Sequence, residues 1–432
     1  MSDPSLSRRE FLTVGTGALA LSLVESGSHA AEVKTGTHHI PEDKNLDKAW
    51  VDALFAKGKY NDAEKFFNKA LEIAQRINSP YLVALSRRNR AGLYSNQLRT
   101  DEALSEAEQA LAFFRASNYQ SDISVTLTTI SRAHRRRGDY DKAIDVLQQK
   151  LQLAQKANDQ RDLAFAYGDL ATVLFEQERL PEALKYYEQA YTINKSIQDR
   201  LAIAYNAMNR GNVEWRLGHA DGVSSLDEAE GLASNQEAGS YSQVLAEVEM
   251  IRGQIALSQR NFPDAIARSK HALELSGEQY KDVAVQATYT LGLSQALSGD
   301  TREGVKTCTQ AVAMAKAEGD AALLSRAMLA LAEALEAYGN AQDALTTALE
   351  AQKRFSSAGQ QESEWRAWLV ASLASRRKHD AAGAQEQLTR AKEVLSALNQ
   401  KWGDDDFRSY LARPDIDFSH KQLGAAVVAE NH

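Results

Sequence analysis

Four arginines have the side-chain chemistry and the spacing of an anion-recognition surface. Arg132, Arg135 and Arg136 lie close together in the chain, and Arg88 precedes them. An arginine guanidinium presents a planar fork of N–H donors that can bind a carboxylate through two parallel hydrogen bonds. In a chain with a formal net charge of −8, four arginines on one surface would form a focused positive patch. These residues indicate a partner with an acidic segment.

Apolar and amide side chains occur at related positions further along the chain. Aromatic and methionine side chains could anchor a bound segment, and asparagine amides could pair with its backbone. The candidate anchors are Phe165, Phe175, Tyr205, Met208, Trp215, Met250 and Leu257, and the candidate amides are Asn89, Asn96, Asn209 and Asn212. The plainer alternative is a solvated arginine face with aromatic side chains packed between neighbouring helices. Both interpretations stay open at the level of sequence.

Motifs for catalysis, cofactor binding and metal binding are missing from the sequence. It contains no H-E-x-x-H, G-x-S-x-G, P-loop or paired C-x-x-C motif. The single Cys308 has no second cysteine to pair with, and we expect it in the core. His38 and His39 would supply only two metal ligands. We therefore expect a protein that is not an enzyme and holds no cofactor or metal. An enzyme site distributed over several helices is the remote alternative.

The elements that position these side chains are pairs of helices that repeat about every 40 residues. Residues 164–193 hold two apolar patterns with helical spacing, and Pro181 between them suits the first turn of a helix. One such pair cannot bury its apolar stripe, so neighbouring pairs must stack into an all-α solenoid. A small residue near the start of the second helix marks nine pairs. These markers are Ala63, Ala103, Ala143, Ala183, Val223, Ala265, Gly304, Ala344 and Ala384.

Two further small positions accompany each marker, one twelve residues before it and one seven residues after it. Small side chains there allow the two helices of a pair, and the next pair, to approach closely. The later position is interrupted only by Lys150 and Glu230. Repeat five is irregular, because its second helix contains two glycines and its register around Val223 is ambiguous by one residue. A polar stretch at 233–243 follows, where we predict a loop that serves as a hinge.

The repeat resembles the tetratricopeptide repeat in its long form of about 40 residues. Two segments match the family signature around the turn, namely Gly58-Lys59-Tyr60-Asn61-Asp62-Ala63 and Gly138-Asp139-Tyr140-Asp141-Lys142-Ala143. The resemblance covers about residues 44–395. It implies an α-solenoid, wound as a right-handed superhelix of about nine helix-turn-helix repeats with a C-terminal helical cap. It also implies binding of peptides or proteins.

The resemblance further implies which face of the solenoid is functional. In this family one arc of the first helix of each repeat lines a concave groove, and the candidate residues above fall on or beside that arc. An acidic segment would then lie over repeats two and three, with its apolar residues over repeats four to six. The carboxylate clamp of chaperone-binding relatives is not matched, because Lys48 is followed by Asp52 where the clamp has asparagine.

The pattern divides the chain into six segments. We predict a signal peptide (1–30), a linker (31–43), repeats one to five (44–232), a hinge loop (233–243), repeats six to nine (244–396) and a capping tail (397–432). Within the tail, the acidic run at 404–406 is expected to be a solvated turn. Short helices are predicted at 407–411 and 418–428, and this tail would give the last repeat a polar outer face.

Residues 7–12 match the twin-arginine export motif, with Arg8, Arg9, Phe11 and Leu12 at its defining positions. An apolar segment at 11–24 follows, and the small residues before position 31 suit cleavage after Ala30. This order predicts a periplasmic or secreted protein with no stable membrane insertion after cleavage. One alternative is an uncleaved signal that holds the protein at the inner membrane. Another is a plain helix with an incidental arginine pair.

Together these features predict a non-enzymatic, exported bacterial scaffold that binds an extended peptide or a partner protein. The acidic net charge argues against nucleic acid as a partner. The first alternative is a peptide-responsive regulator, in which binding changes the superhelical pitch at the loop after repeat five.

Overall fold

The computed structural model describes residues 60–97, 99–234 and 241–428 of the 432-residue chain. Over these ranges the chain forms nineteen α-helices, numbered here α1 to α19 in chain order, and no β-strand. The chain divides into two compact units, unit 1 ending at Asp169 and unit 2 beginning at Leu170. This boundary lies within α6 (Gln160–Glu176).

Unit 1 contains α1 to α5 and the first part of α6. Consecutive helices pack against one another and bury a core around Phe114 and Leu127, both of which are almost fully buried. The helices are α1 (Tyr60–Arg76), α2 (Pro80–Asn96), α3 (Thr100–Ala116), α4 (Gln120–Arg137) and α5 (Tyr140–Ala157).

Unit 2 contains the rest of α6 and all later helices, again as successive packed pairs. The first helices of repeats five to nine are α8 (Arg200–Leu217), α10 (Ser242–Ser258), α12 (Lys281–Leu297), α14 (Ala321–Tyr338) and α16 (Gln361–Arg377). The second helices of repeats four to nine are α7 (Leu180–Ser196), α9 (Gly222–Ala233), α11 (Phe262–Ser276), α13 (Thr301–Glu318), α15 (Ala341–Ala358) and α17 (Ala381–Trp402). The tail adds α18 (Asp404–Leu411) and α19 (Pro414–Val428). This is the all-α solenoid that the repeat pattern predicts.

The turns between helices are short. A residue with positive φ usually follows the helix end, and this conformation ends the helix and redirects the chain within a few residues. Glycine or asparagine takes this conformation at low cost, as at Gly138 (φ 84°) and Asn158 (φ 53°). Glu178 adopts the same conformation (φ 61°) in the turn after α6. A glutamate there carries a steric penalty, so the surrounding structure must hold it in place.

The small residues sit where two helices cross closely. A Cβ on Gly304 would lie 2.6 Å from the Gly292 carbonyl oxygen, so only glycine fits at this crossing of α12 and α13. In repeat five the predicted marker Val223 is wrong, because its side chain is 52% exposed. Gly222 makes the contact instead, because a Cβ added to it would lie 2.9 Å from the Gly211 carbonyl oxygen. The later small position is then the buried Ala229 and not Glu230.

Lys150 is the true exception to the small-residue pattern. Its side chain is buried at a position where the other repeats place alanine. The Lys150 Nζ donates to Thr128 Oγ1 and Asp169 Oδ2, both at 2.8 Å, within unit 1. A buried ammonium is stable only when it is paired and hydrogen-bonded, and these two partners satisfy it.

Cys308 is fully buried, and burial raises the pKa of its thiol to about 12. This confirms the prediction that Cys308 is a core residue.

The predicted hinge loop at 233–243 lies mainly outside the described residues, which stop at 234 and resume at 241. The two compact units divide elsewhere, within α6.

The C-terminal tail packs against unit 2 through a few buried side chains. α17 continues through the predicted repeat boundary at 396–397 as far as Trp402, and the acidic run at 404–406 forms the first turn of α18. Carboxylates in a helix's first turn favour its dipole. Tyr410 and Ile416 are fully buried, and α18 contacts α8 while α19 contacts α10 and α16. The tail is therefore attached to α8, α10 and α16, and most of its other described side chains are exposed or partly exposed.

Among the described helices, none combines the length and the apolar character needed to cross a bilayer. The same part of the chain also contains no group of three or more histidine, cysteine, aspartate or glutamate side chains placed to hold a metal ion.

Candidate functional site

The first helices of unit 2 form a closed ring. α8 contacts α10, α10 contacts α12, α12 contacts α14, and α14 contacts α16. The ring closes at the turn after α6, where the Gln360 Nε2 donates to the Glu176 carbonyl oxygen (2.6 Å). There the Ser363 backbone N–H also donates to Glu178 Oε2 (2.9 Å), and Arg216 on α8 pairs with Glu178 (3.4 Å). We call the space inside this ring the lumen.

The lumen has a volume of about 280 Å³. Aliphatic side chains from α10, α12, α14 and α16 cover much of its wall, and charged and amide groups converge on it. The apolar lining includes Leu257, Leu293, Leu329, Leu369 and Val370, and the charged lining includes Arg216, Arg326, Glu333, Glu362, Arg366 and Arg413. Apolar walls with a few convergent polar groups are typical of binding sites.

Four ionic side chains and one serine join the ends of the ring, and we call them the clasp. Its members are Glu178, Arg216, Glu362, Ser363 and Arg413. Arg216 Nη2 donates to Glu362 Oε2, Arg413 Nη1 lies 3.7 Å from Glu362 Oε1, and Ser363 Oγ donates to Glu178 Oε1 (2.5 Å). The side chains of Glu178, Glu362 and Arg413 are buried. The clasp is thus a buried network in which each carboxylate has at least two partners.

The two clasp carboxylates have opposite shifts in pKa. Burial, together with the nearby negative charge of Glu362, raises the pKa of Glu178 above its ordinary value. Burial also acts to raise the pKa of Glu362, but the charges of Arg216 and Arg413 outweigh it and hold that pKa below its ordinary value. Glu362 is therefore the ionised partner of the arginines, and Glu178 is the more readily protonated carboxyl group.

The tail contributes one wall of the lumen. Arg413 Nη1 donates to the Arg216 carbonyl oxygen (2.8 Å), and its guanidinium lies 4.9 Å from the centre of the Trp215 ring. Arg260 lies 4.7 Å from the ring centre of Phe418 on α19. Cation–π contacts of this kind stabilise the packing of the two arginine side chains against the rings. The chain's own C-terminal segment therefore occupies part of the space that the concave helices enclose.

Several polar groups of the lumen have defined partners, and the Asn212 side-chain oxygen does not. Arg366 Nη2 donates to Glu333 Oε1 (2.8 Å), and the Gln254 Nε2 donates to the Tyr289 hydroxyl oxygen (3.3 Å). The Asn212 Oδ1 is buried without a hydrogen-bond partner among the described residues. A buried acceptor of this kind costs free energy unless a ligand or water satisfies it.

Phe175, Asn212, Trp215 and Leu257, which the helical arc predicted as groove residues, all line the lumen. Tyr205 and Asn209 are only partly buried and belong to the same helix as Asn212; the Tyr205 hydroxyl donates to Gln243 Oε1 (2.9 Å). The structure therefore brings four of the candidates to one enclosed space. Their role in binding stays a prediction.

Met208 and Met250 need a correction. Both were predicted as anchors for a bound segment, but they are 1% and 3% exposed and belong to the core between α8, α9 and α10. They share one core cluster with Ala204 and Ala207 of α8 and with Leu226 of α9. They are packing residues.

Four arginines of the lumen were not among the predicted residues, namely Arg216, Arg326, Arg366 and the tail residue Arg413. The signal for the first three was present, because Arg216, Arg326 and Arg366 occupy the same helical arc in repeats five, eight and nine. Applying the arc to every repeat would have found them. Arg413 follows the last repeat, so no repeat position could indicate it.

In unit 1 the four predicted arginines are not equivalent. Arg88 is buried in an ion pair with Asp122 (2.6 Å), and Asn89 is buried beside it, which corrects the prediction that both are available to a partner. Arg132, Arg135 and Arg136 are partly buried on α4. Burial and the charges of the other two arginines outweigh Asp169 and lower the pKa of Arg132 to about 10. The predicted patch is therefore reduced to these three arginines.

The remaining candidates in unit 1 are Asn96 and Phe165, both partly buried. The export motif (Arg8, Arg9, Phe11 and Leu12), the cleavage position Ala30 and the histidine pair in the linker lie outside the described residues.

Glu247 on α10 should give unit 2 a pH-dependent stability. Burial and the nearby Asp282 raise the pKa of Glu247 to about 8. Its folded pKa exceeds the ordinary value of 4.5, so the folded state retains a proton that the unfolded state releases. Stability should fall as pH rises from about 4.5 to about 8, by at most about 1.4 kcal/mol per pH unit. Urea denaturation at several pH values would measure it.

Glu247→Gln should remove this pH dependence, because the amide oxygen can still accept the hydrogen bond from Gln243 Nε2 (2.9 Å). The variant should match the original protein near pH 4.5 and exceed its stability at pH 8. Exposed Glu350→Gln is the matched control and should leave the profile unchanged. A Glu247→Gln profile that still falls over this window would contradict the assignment.

Comparison with known proteins supports the repeat architecture. Residues 46–116 and 122–196 match the family model described as tetratricopeptide repeat, which confirms the predicted repeats over that part of the chain. A Rap protein complexed with Competence and Sporulation Factor is similar in structure, with a TM-score of 0.51 and 14% identity over 82% of this chain and 100% of that chain. Aspartyl phosphate phosphatase F from Bacillus subtilis gives a TM-score of 0.43 and 14% identity over 82% and 95% of the two chains. At such identities the likeness concerns the fold alone. No curated protein matches this chain.

Proposed function

We propose that this chain of tetratricopeptide repeats is a non-enzymatic binding protein that holds a peptide, or an extended segment of a partner protein, in the lumen of unit 2. The lumen itself is the observation that carries the proposal. Apolar walls, several arginines and the Asn212 oxygen converge there. Tetratricopeptide repeats typically mediate protein–protein interaction, and the Rap protein of similar fold is complexed with a factor.

The chemistry of the lumen favours a ligand that is partly apolar and partly anionic. Arg326 and Arg366 face the lumen between leucine side chains, where Arg366 is also paired with Glu333, and a guanidinium binds carboxylates with directional hydrogen bonds. The asparagine oxygen would accept a hydrogen bond from a peptide N–H.

Asn212→Ala tests the proposal. Removing an acceptor that serves only a ligand should leave stability almost unchanged and weaken peptide binding about threefold to tenfold, the usual net effect of one hydrogen bond. The probe is a linear peptide selected from a random library by the purified protein, and calorimetric titration measures its affinity. Gln385→Ala, on the exposed surface of α17, is the control. Equal affinity of Asn212→Ala and the control would count against the lumen as the site.

We also propose that the protein is exported to the periplasm or the exterior by the twin-arginine route. The motif at residues 7–12, the apolar segment after it and the small residues up to Ala30 support this proposal. Changing Arg8 and Arg9 to lysine in the full chain should retain the protein in the cytoplasm of a bacterium that has the pathway. Cell fractionation measures it, with Arg76→Lys as the control. Unchanged export of the doubly substituted chain would refute the route.

A further inference from the structure

The ring around the lumen restricts what can reach it. We infer that the lumen admits the free end of a linear peptide and excludes an internal loop of a partner or a peptide closed into a ring. This inference rests on the proposed function and narrows it to one class of ligand.

The closure of the ring is a built feature, and Glu178 shows this most clearly. Comparable turns after α4, α8 and α14 place glycine at the position with positive φ, and those after α10 and α16 place Arg260 and His379 there. Here the turn carries a glutamate, whose carboxylate is buried and accepts hydrogen bonds from both the backbone N–H and the hydroxyl group of Ser363. Ser363 lies in the first turn of α16, where a backbone N–H has no partner within its own helix. The strained turn residue therefore satisfies a donor at the far end of the ring.

Two further bonds secure the same junction. Gln360 reaches the Glu176 carbonyl oxygen, and the Trp402 Nε1 donates to the Glu178 carbonyl oxygen (3.1 Å). In an open solenoid a ligand chain can enter the groove sideways at any point along the solenoid. A closed junction of buried hydrogen bonds prevents sideways entry, because those bonds would have to break. Access to the lumen is then along the ring axis, and only a chain end can travel that way.

The tail narrows the space inside the ring. Arg413 and Phe418 take one wall of the lumen. A looped segment would have to place two strands side by side in the remaining space, whereas a chain end needs room for one.

The test compares two peptide libraries of the same random composition, one linear with free ends and one cyclised head to tail. The full-length protein is exposed to each, and the retained peptide is measured by mass spectrometry. The matched variant carries Glu178→Gly, Gln360→Ala, Glu362→Gln and Trp402→Phe. It removes the side-chain bonds of Glu178, Gln360 and Trp402 across the junction and the charge that Glu362 offers to Arg216, while glycine at 178 suits the positive φ. The distance between spin labels at the exposed positions Glu182 on α7 and Glu386 on α17 reports whether the ring has opened.

The expected result is that the original protein retains linear peptides about tenfold or more over cyclic ones, and that the opened variant retains both. Equal retention of both libraries by the original protein would overturn the inference and leave the proposed function standing. Rejection of cyclic peptides by a variant whose two labels have moved apart would also overturn it, because the stiffness of the cycle would then explain the selectivity. Retention of neither library by either protein would refute the proposed function, and the inference with it.

Discussion

Arg216→Ala is expected to lower the free energy of unfolding by about 3–5 kcal/mol, the range for removing one partner from a buried ion pair. Arg216 lies between Glu178 and Glu362, and alanine would leave these two carboxylates facing each other. Arg413 compensates only in part, since it lies 3.7 Å from Glu362 and also serves Asp415. Urea denaturation followed by circular dichroism measures the loss.

The pH dependence of this loss has a defined sign. Without Arg216, both carboxyl groups should have folded pKa values above the ordinary value of 4.5. Their protonation then favours the folded state, so the deficit of the variant should shrink as pH falls toward 4.5. Arg354→Ala, which removes an exposed pair with Glu350, is the control and should cost less than about 1 kcal/mol at any pH. A deficit of Arg216→Ala that grows at acid pH would show that the clasp does not work as described.

Gly304→Ala is expected to destabilise the protein by about 1–3 kcal/mol, the usual cost of overpacking, or more. The added methyl group would lie 2.5 Å from the Ala296 backbone nitrogen and 2.6 Å from the Gly292 carbonyl oxygen. Because both neighbours are backbone atoms, no side chain can move aside, and α12 and α13 must separate. Thermal and urea denaturation of the purified variant measure the effect.

Gly231→Ala is the matched substitution with the opposite expected sign. Gly231 lies in the interior of α9, and no atom lies within 4 Å of its added Cβ. Alanine should therefore stabilise the helix by about 0.5–1 kcal/mol, through the difference in helix propensity. Similar effects of the two substitutions would mean that the close crossing of α12 and α13 does not limit residue size.

The repeat register was predictable where the small residues are regular and failed where they are not. In repeat five both Gly222 and Val223 fit the spacing, and periodicity alone cannot separate neighbours that differ by one residue. The contact with Gly211 decides between them. Likewise, Met208 and Met250 share an arc with groove positions, but the close approach of adjacent helices buries them. The residue pattern of one helix does not specify the distance to the neighbouring helix.

The amino-acid sequence by itself determined that this protein is a solenoid of helix pairs. Small and apolar residues recur at short spacings, and this pattern can be recognised within each repeat separately. It also indicated four side chains of the lumen through the same local rule. Only the tertiary structure decided that unit 2 closes into a ring. That closure depends on Glu178 meeting Ser363 and on Arg413 returning from the tail, contacts between residues more than 180 positions apart. Such contacts produce no repeating pattern in the sequence, because each occurs only once. They form because the repeats between the two residues curve and bring them together.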